Sequence, residues 1–196
     1  MGKTMTAGKK TPQKNSLSRR IGRHLTAGRI FIGGSLLITL LIFGVIALNS
    51  AAHQTPPIDR SLPDSSEIIP ALESPHLRQG EHPSPYNSNP PTSGMHNPQP
   101  PNWGIYGETL PDEIVIHGLE HGGIWISYRD KDPETIRQLE DIARRYSSHM
   151  ILTYRPADDS LIAVAAWGRL LKLDKFDSGQ IYNFIARYRF KGPENV

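Results

Sequence analysis

Residues 30–48, IFIGGSLLITLLIFGVIAL, form a run of 19 positions without one ionisable side chain. As a helix the run spans about 28 Å, close to the thickness of a bilayer's hydrocarbon core. Lys3, Lys9, Lys10, Lys14, Arg19, Arg20, Arg23 and Arg29 precede it, and no Asp or Glu occurs before Asp59. Such asymmetry keeps the N-terminus in the cytoplasm and puts everything after Asn49 outside. The competing reading is a cleaved signal peptide, for which NSAA at 49–52 offers small residues. A signal core is usually only about 7–15 residues long. The run is therefore expected to be an uncleaved single-pass anchor in the cell membrane, behind a basic cytoplasmic tail at 1–29.

Composition then narrows the rest. The formal net charge of +3 hides two unlike parts. Beyond the tail, 14 basic residues face 19 acidic ones. Nucleic-acid binding rests on clustered Lys and Arg neutralising phosphate, so no such partner is expected. The chain has no cysteine, which removes disulfides, iron–sulfur clusters, thiolate zinc sites and cysteine-ligated blue copper.

After the anchor, residues 49–80 are rich in proline and small polar residues and read as a linker. Prolines continue through 81–108, but His82, Tyr86, Met95, His96, Trp103 and Tyr106 now alternate with them. Aromatics and imidazoles in that number imply a segment packed on a domain spanning 81–196. Within it, EIVIH (113–117) and IWISY (124–128) have the β-branched and aromatic character of strands. PETIRQLEDIARRYSS (133–148) starts with proline and sets Ile136, Leu139, Ile142, Ala143 and Tyr146 on one helical face. HMILTY (149–154) and LIAVAAW (161–167) flank RPADDS, which suggests an antiparallel hairpin, and RLLKLD is read as an extension of the sheet. A second helix is expected over 178–190, with Asp177 as N-cap. The expected fold is α+β, a small antiparallel sheet with two helices.

His117-Gly118-Leu119-Glu120-His121 fits the H-x-x-E-H template of the inverzincin peptidases, whose two histidines hold zinc from one face of a helix. Here Gly118, Gly122 and Gly123 and the flanking strand-like runs favour a turn between strands, which argues against a peptidase. On an extended chain His117 and His121 lie about 13 Å apart, so they share an ion only if the chain turns at Gly118. One reading makes them braces of a tight loop, with Glu120 as partner. The other adds His96 and Met95 from the proline-bounded loop to His117 and His121, as ligands of a transition metal. Imidazole suits zinc or copper, and thioether favours Cu(I). His82 or His149 with Met150 is a further candidate for the shell.

PYNSNPPTSGMH (85–96), GIYGE (104–108), IHGLEHGGIWISY (116–128), AWGRLLKLDKFD (166–177) and GPE (192–194) together resemble the bacterial domain-of-unknown-function family 3105. The resemblance implies a membrane-anchored or exported protein without a settled activity. It singles out Pro90, Pro91, Ser93, Gly94, His96, Tyr106, His117, Glu120, His121, Gly122, Trp167 and Gly168. Met95 departs from the family pattern, which shifts the weight to His96, His117 and His121. Ser93, Tyr106, Glu120 and Trp167 are expected in supporting or structural roles, and no residue in a catalytic one. Ser93 lies three residues before His96, but no G-x-S-x-G elbow is present. Asp158 and Asp159 sit in a turn, where carboxylates are ordinarily solvated. Three functional readings follow: an extracytoplasmic binder of copper or zinc, a non-enzymatic interaction module, and a small metal-dependent hydrolase. A protein partner is unknown.

Overall fold

The computed structural model describes residue 2, residues 38–46 and residues 61–194. The chain divides into two units, residues 1–52 and 53–196. In the first, residues 38–46 are helical (α1) and their side chains are exposed. Among the described residues no helix is long and apolar enough to cross a membrane. The remainder of the expected anchor, and the basic tail apart from residue 2, lie outside the described residues.

The second unit runs β1 (Glu67–Ile68), β2 (Gly104–Tyr106), α2 (Asp112–Glu120), β3 (Ile124–Tyr128), α3 (Pro133–Ala143), β4 (Met150–Tyr154), β5 (Ile162–Ala166), β6 (Arg169–Leu173) and α4 (Ser178–Tyr188). The strands form one sheet in the order β1-β6-β5-β3-β4-β2. Pairing is antiparallel from β1 through β3, then parallel between β3 and β4 and between β4 and β2. The α+β class holds, but the sheet is mixed rather than purely antiparallel. The reason is α3, which returns the chain between β3 and β4 so that they run in the same direction. It also corrects the expected hairpin: β4 and β5 are strands, but β3 lies between them. The hairpin is β5–β6, turning at Trp167-Gly168, where Gly168 has φ +66°.

Helices cover both faces. Ile124, Ile126, Met150, Leu152, Ile162 and Val164 point to one side, against Leu139 and Ile142 of α3 and Ile181, Phe184 and Ile185 of α4. Trp125, Ile151, Ala163, Ala165 and Leu170 point to the other, against Val115 and Leu119 of α2, with Trp103 and Ile69 alongside. Central β3 is therefore buried at all five positions. That explains why, apart from Ser127, it is apolar throughout, since a strand covered on both faces need not alternate. The predicted cap of α4 is present, since Asp177 accepts a hydrogen bond from the Gln180 amide, and α3 is capped in the same way by Asp132, which accepts from the Thr135 amide.

The largest correction concerns residues 112–121. EIVIH is helical, not a strand. Pro111, then Asp112 and Glu113 in the first turn, are helix-starting signals, since carboxylates oppose the positive end of the dipole. At the other end the Gly122 amide donates to the Leu119 carbonyl and the Gly123 amide to the Gly118 carbonyl, both at 2.9 Å. Gly122 has φ +80°. This is a Schellman ending, so the glycines that suggested a hairpin turn are the helix's C-terminal cap. Gly118 serves a different purpose, close approach. A Cβ there would meet Ile151 Cδ1 at 2.9 Å and Trp103 Cζ3 at 3.2 Å.

The segment before residue 81 joins the same unit. β1 pairs with β6, the Ile69 amide donates to the Gly168 carbonyl, and the Leu72 amide donates to Ser93 Oγ. Asp158 is also not the solvated turn carboxylate of the sequence reading. It is buried and ion-paired to Arg155 Nη1 at 2.6 Å.

Candidate metal centre

Because α2 is helical, His117 and Glu120 stand three residues apart on one face in its last turn. Val115 and Leu119 take the face toward the sheet, which turns His117 and Glu120 toward the chain segment 72–97. That segment brings two more histidines. Residues 76 and 96 form an isolated parallel bridge, in which the Leu77 amide donates to the His96 carbonyl at 2.7 Å and the His96 amide to the Pro75 carbonyl at 3.3 Å. The Asn97 amide donates to the Glu113 carbonyl at 2.9 Å and fastens the loop to α2.

His76, His96, His117 and Glu120 thus form a group in which one ligand atom from each lies within 4.8 Å of all the others. His96 is 0% exposed and His117 and Glu120 are each 4% exposed, whereas His76 is exposed. Ring centroids are 4.9 Å apart for His76–His96, 5.0 Å for His76–His117 and 4.8 Å for His96–His117. Metal bonds near 2 Å bring the ligands of one ion to about 3.3 Å apart in a tetrahedron, so closure needs shifts of under about 1 Å at each side chain.

The hydrogen bonds define which nitrogen of each ring is available. His96 Nδ1 lies 2.9 Å from the Gly94 carbonyl and His117 Nδ1 lies 2.7 Å from the Asn97 carbonyl. A carbonyl only accepts, so Nδ1 carries the proton and Nε2 keeps its lone pair in the neutral ring. Histidine ligands of metals are commonly oriented in this way. Ser74 Oγ donates to Glu120 Oε1 at 3.0 Å and aims the other carboxylate oxygen inward.

His96 Nε2 and Glu120 Oε2 meet 3.0 Å apart. Neither has a hydrogen-bond partner. The separation alone would suit an ion pair, but the direction an N–H···O bond requires is missing, and direction is the more telling criterion at this distance. Two buried acceptors side by side are costly unless a cation lies between them. The site also sits at the C-terminal end of α2, where the helix dipole is negative and favours positive charge. His117 is held below its ordinary pKa of 6.5 chiefly by burial, with the nearby His96, His121 and His76 acting in the same direction against the Asn97 hydrogen bond. It therefore stays neutral, and able to bind a metal, under somewhat more acidic conditions than a free imidazole.

The remaining expected site residues are distributed around this group. His121 caps α2 and stacks on His117 at 4.8 Å, outside the four-residue group, with Nδ1 3.1 Å from the Glu194 carbonyl. The sulfur of Met95 lies 3.5 Å from Ser84 Oγ. Ser93 is buried and holds the Leu72 amide, while the Tyr106 hydroxyl donates to the Asn102 carbonyl. Trp167 packs at the β5–β6 turn. His149 is stacked on Trp103 and makes a tilted contact with Phe190, and Met150 is in the core. His76 was not among the expected ligands. Its only signal is a histidine between Pro75 and Leu77 in a stretch that otherwise reads as linker.

Residues 78–196 match the family described as Protein of unknown function (DUF3105). His96, His117, Glu120 and His121 fall inside the matched region, and His76 lies just before it. No curated protein and no solved structure matches the chain.

Proposed function

The chain belongs to the DUF3105 family, and we propose that its α+β domain binds a divalent transition-metal ion through His76, His96, His117 and Glu120. The observation behind this reading is the buried pair His96 Nε2 and Glu120 Oε2, 3.0 Å apart and each without a hydrogen bond. Three imidazoles and one carboxylate, with no sulfur, form a borderline donor set suited to Zn(II) and Cu(II). A Cu(I) site would call on the Met95 thioether, which is beside Ser84. Zinc, the ion most used with His and Glu ligands, is the first choice. Copper(II) is the second, since it forms the stronger complexes with the same ligands.

The reading includes a place in the cell. The eight-to-zero excess of basic over acidic residues ahead of the apolar run supports a single-pass anchor with the domain outside the membrane. A protease-protection assay on intact spheroplasts checks it. Digestion of the domain is expected, and a shielded domain refutes the orientation.

A peptidase of the H-x-x-E-H type regains its helix, which had been the ground for setting it aside. Its division of labour nevertheless fits poorly. Glu120 belongs to the ligand group, whereas His121, the second histidine of the template, stands outside it. Metal binding is tested directly by elemental analysis of the full-length chain, purified without a polyhistidine tag, followed by titration with Zn(II) and Cu(II). Wild type is expected to bind one equivalent, and His96→Ala and His117→Ala are expected not to. Equal binding by all three makes the cluster a hydrogen-bonded brace only.

A further inference from the structure

The four proposed ligands are not held alike. His96 is fixed through Nδ1 to the Gly94 carbonyl, His117 through Nδ1 to the Asn97 carbonyl, and Glu120 by the Ser74 hydroxyl. All three are buried. His76 is exposed, and among the described residues its ring makes no hydrogen bond, only edge and tilted contacts with His96 and His117. Its backbone is tethered to residue 96 on both sides, through the Leu77 amide and the Pro75 carbonyl, within an otherwise irregular segment between β1 and Gly80, so the freedom lies in the side chain.

Resting on the metal-binding reading, we propose that His76 is an exchangeable fourth ligand, whose departure opens a coordination position on a fixed His96–His117–Glu120 base to an incoming lone-pair donor such as water, a carboxylate or an imidazole. Two histidines and one glutamate with one open position are enough to hold zinc and to leave room for a small molecule. Pre-orientation favours the three buried ligands, because their rotamer freedom is already lost before an ion arrives. His76 has to lose that freedom when it binds, so it is the ligand most easily replaced. Exposure adds to this, since a competing donor reaches the ion from the side that His76 covers. The His76 side chain therefore regulates access to the ion.

The full-length chain loaded with Co(II) tests the idea, because the visible absorption of cobalt reports the number and kind of its ligands. His76→Ala is expected to keep cobalt with a partial loss of affinity. Its spectrum is expected to change and then to return toward that of wild type on addition of free imidazole, which fills the vacated position. His96→Ala is expected to bind no cobalt. If His76→Ala loses cobalt as completely as His96→Ala, the four ligands are equivalent and the inference fails. If its spectrum equals that of wild type and ignores imidazole, His76 never coordinates, which also overturns it. Failure of wild type itself to bind cobalt refutes the underlying metal-binding reading and this inference with it.

Discussion

Each end of α2 carries a buried polar cluster, and the two are built on different principles. At the N-terminal end, Arg155 donates from Nε and Nη2 to both carboxylate oxygens of Asp112, at 2.9 and 2.7 Å, and from Nη1 to Asp158 and Asn89. Apart from the buried Asp158 Oδ2, which has no hydrogen bond, donors meet acceptors, and charge meets countercharge. At the C-terminal end, imidazole lone pairs and a carboxylate face one another, and the protons of two of the imidazole rings are directed away to backbone carbonyls. The first cluster ties three segments together with what the chain itself supplies. The second is also tied, through Ser74 and Asn97, but leaves the inward-facing His96 Nε2 and Glu120 Oε2 without a hydrogen bond. A self-sufficient cluster is a brace, whereas an incomplete one is a candidate site.

The contrast predicts unequal responses to disruption. Arg155→Ala is expected to have the largest effect, about 3–5 kcal/mol of lost stability in urea unfolding, because Asp158 would be left buried without its partner. A loss under about 1 kcal/mol would mean that the brace is ornamental. Next comes the metal itself. With zinc at a hundredfold excess over its dissociation constant, the domain is expected to gain about 2.7 kcal/mol, reversed by a chelator and absent in His96→Ala. Between the two ends, Gly118→Ala forces a methyl group against Ile151 and Trp103. Overpacking of this kind costs about 1–3 kcal/mol, partly offset by about 1 kcal/mol of improved helix propensity. The melting temperature is expected to fall, and a rise would show that the two side chains yield freely. The smallest effect is on pH dependence. Because burial holds the folded-state pKa of His117 below 6.5, the metal-free domain is most stable above that value and weakens as pH falls through the lower folded-state value. Thermal melts at pH 7 and 5 are expected to show this loss, and to show less of it in His117→Asn.

Reading the sequence succeeds where one signal dominates and fails where two compete. β3, α3 and α4 were legible because apolar period, caps and length all agree for them. α2 was not, since its β-branched EIVIH run has strand character and its glycines suit a turn equally well. The decisive evidence was the pairing of Pro111-Asp112-Glu113 at the start with a glycine cap at the end, which has meaning only when both are read together. Strand existence was visible for β4 and β5, but not that β3 separates them, because neighbours in a sheet are chosen by tertiary packing. Of the four candidate ligands, His96, His117 and Glu120 stood in recognisable motifs, although Glu120 was expected only to support the others. His76 lay hidden in proline-rich surroundings that give no period, and only the backbone bridge to His96 brings it into place.

The candidate ligands come from three separate parts of the chain, at 76, at 96 and at 117–120. An ion gripping all of them would close loops of roughly 20 and 40 residues at once, the kind of restriction on the unfolded chain that elsewhere falls to a disulfide and stabilises by about 3–4 kcal/mol. In a chain without cysteine, such an ion would be its covalent-like cross-link. Unlike a disulfide, the link could be made or undone by the supply of metal, independently of the redox state of the compartment.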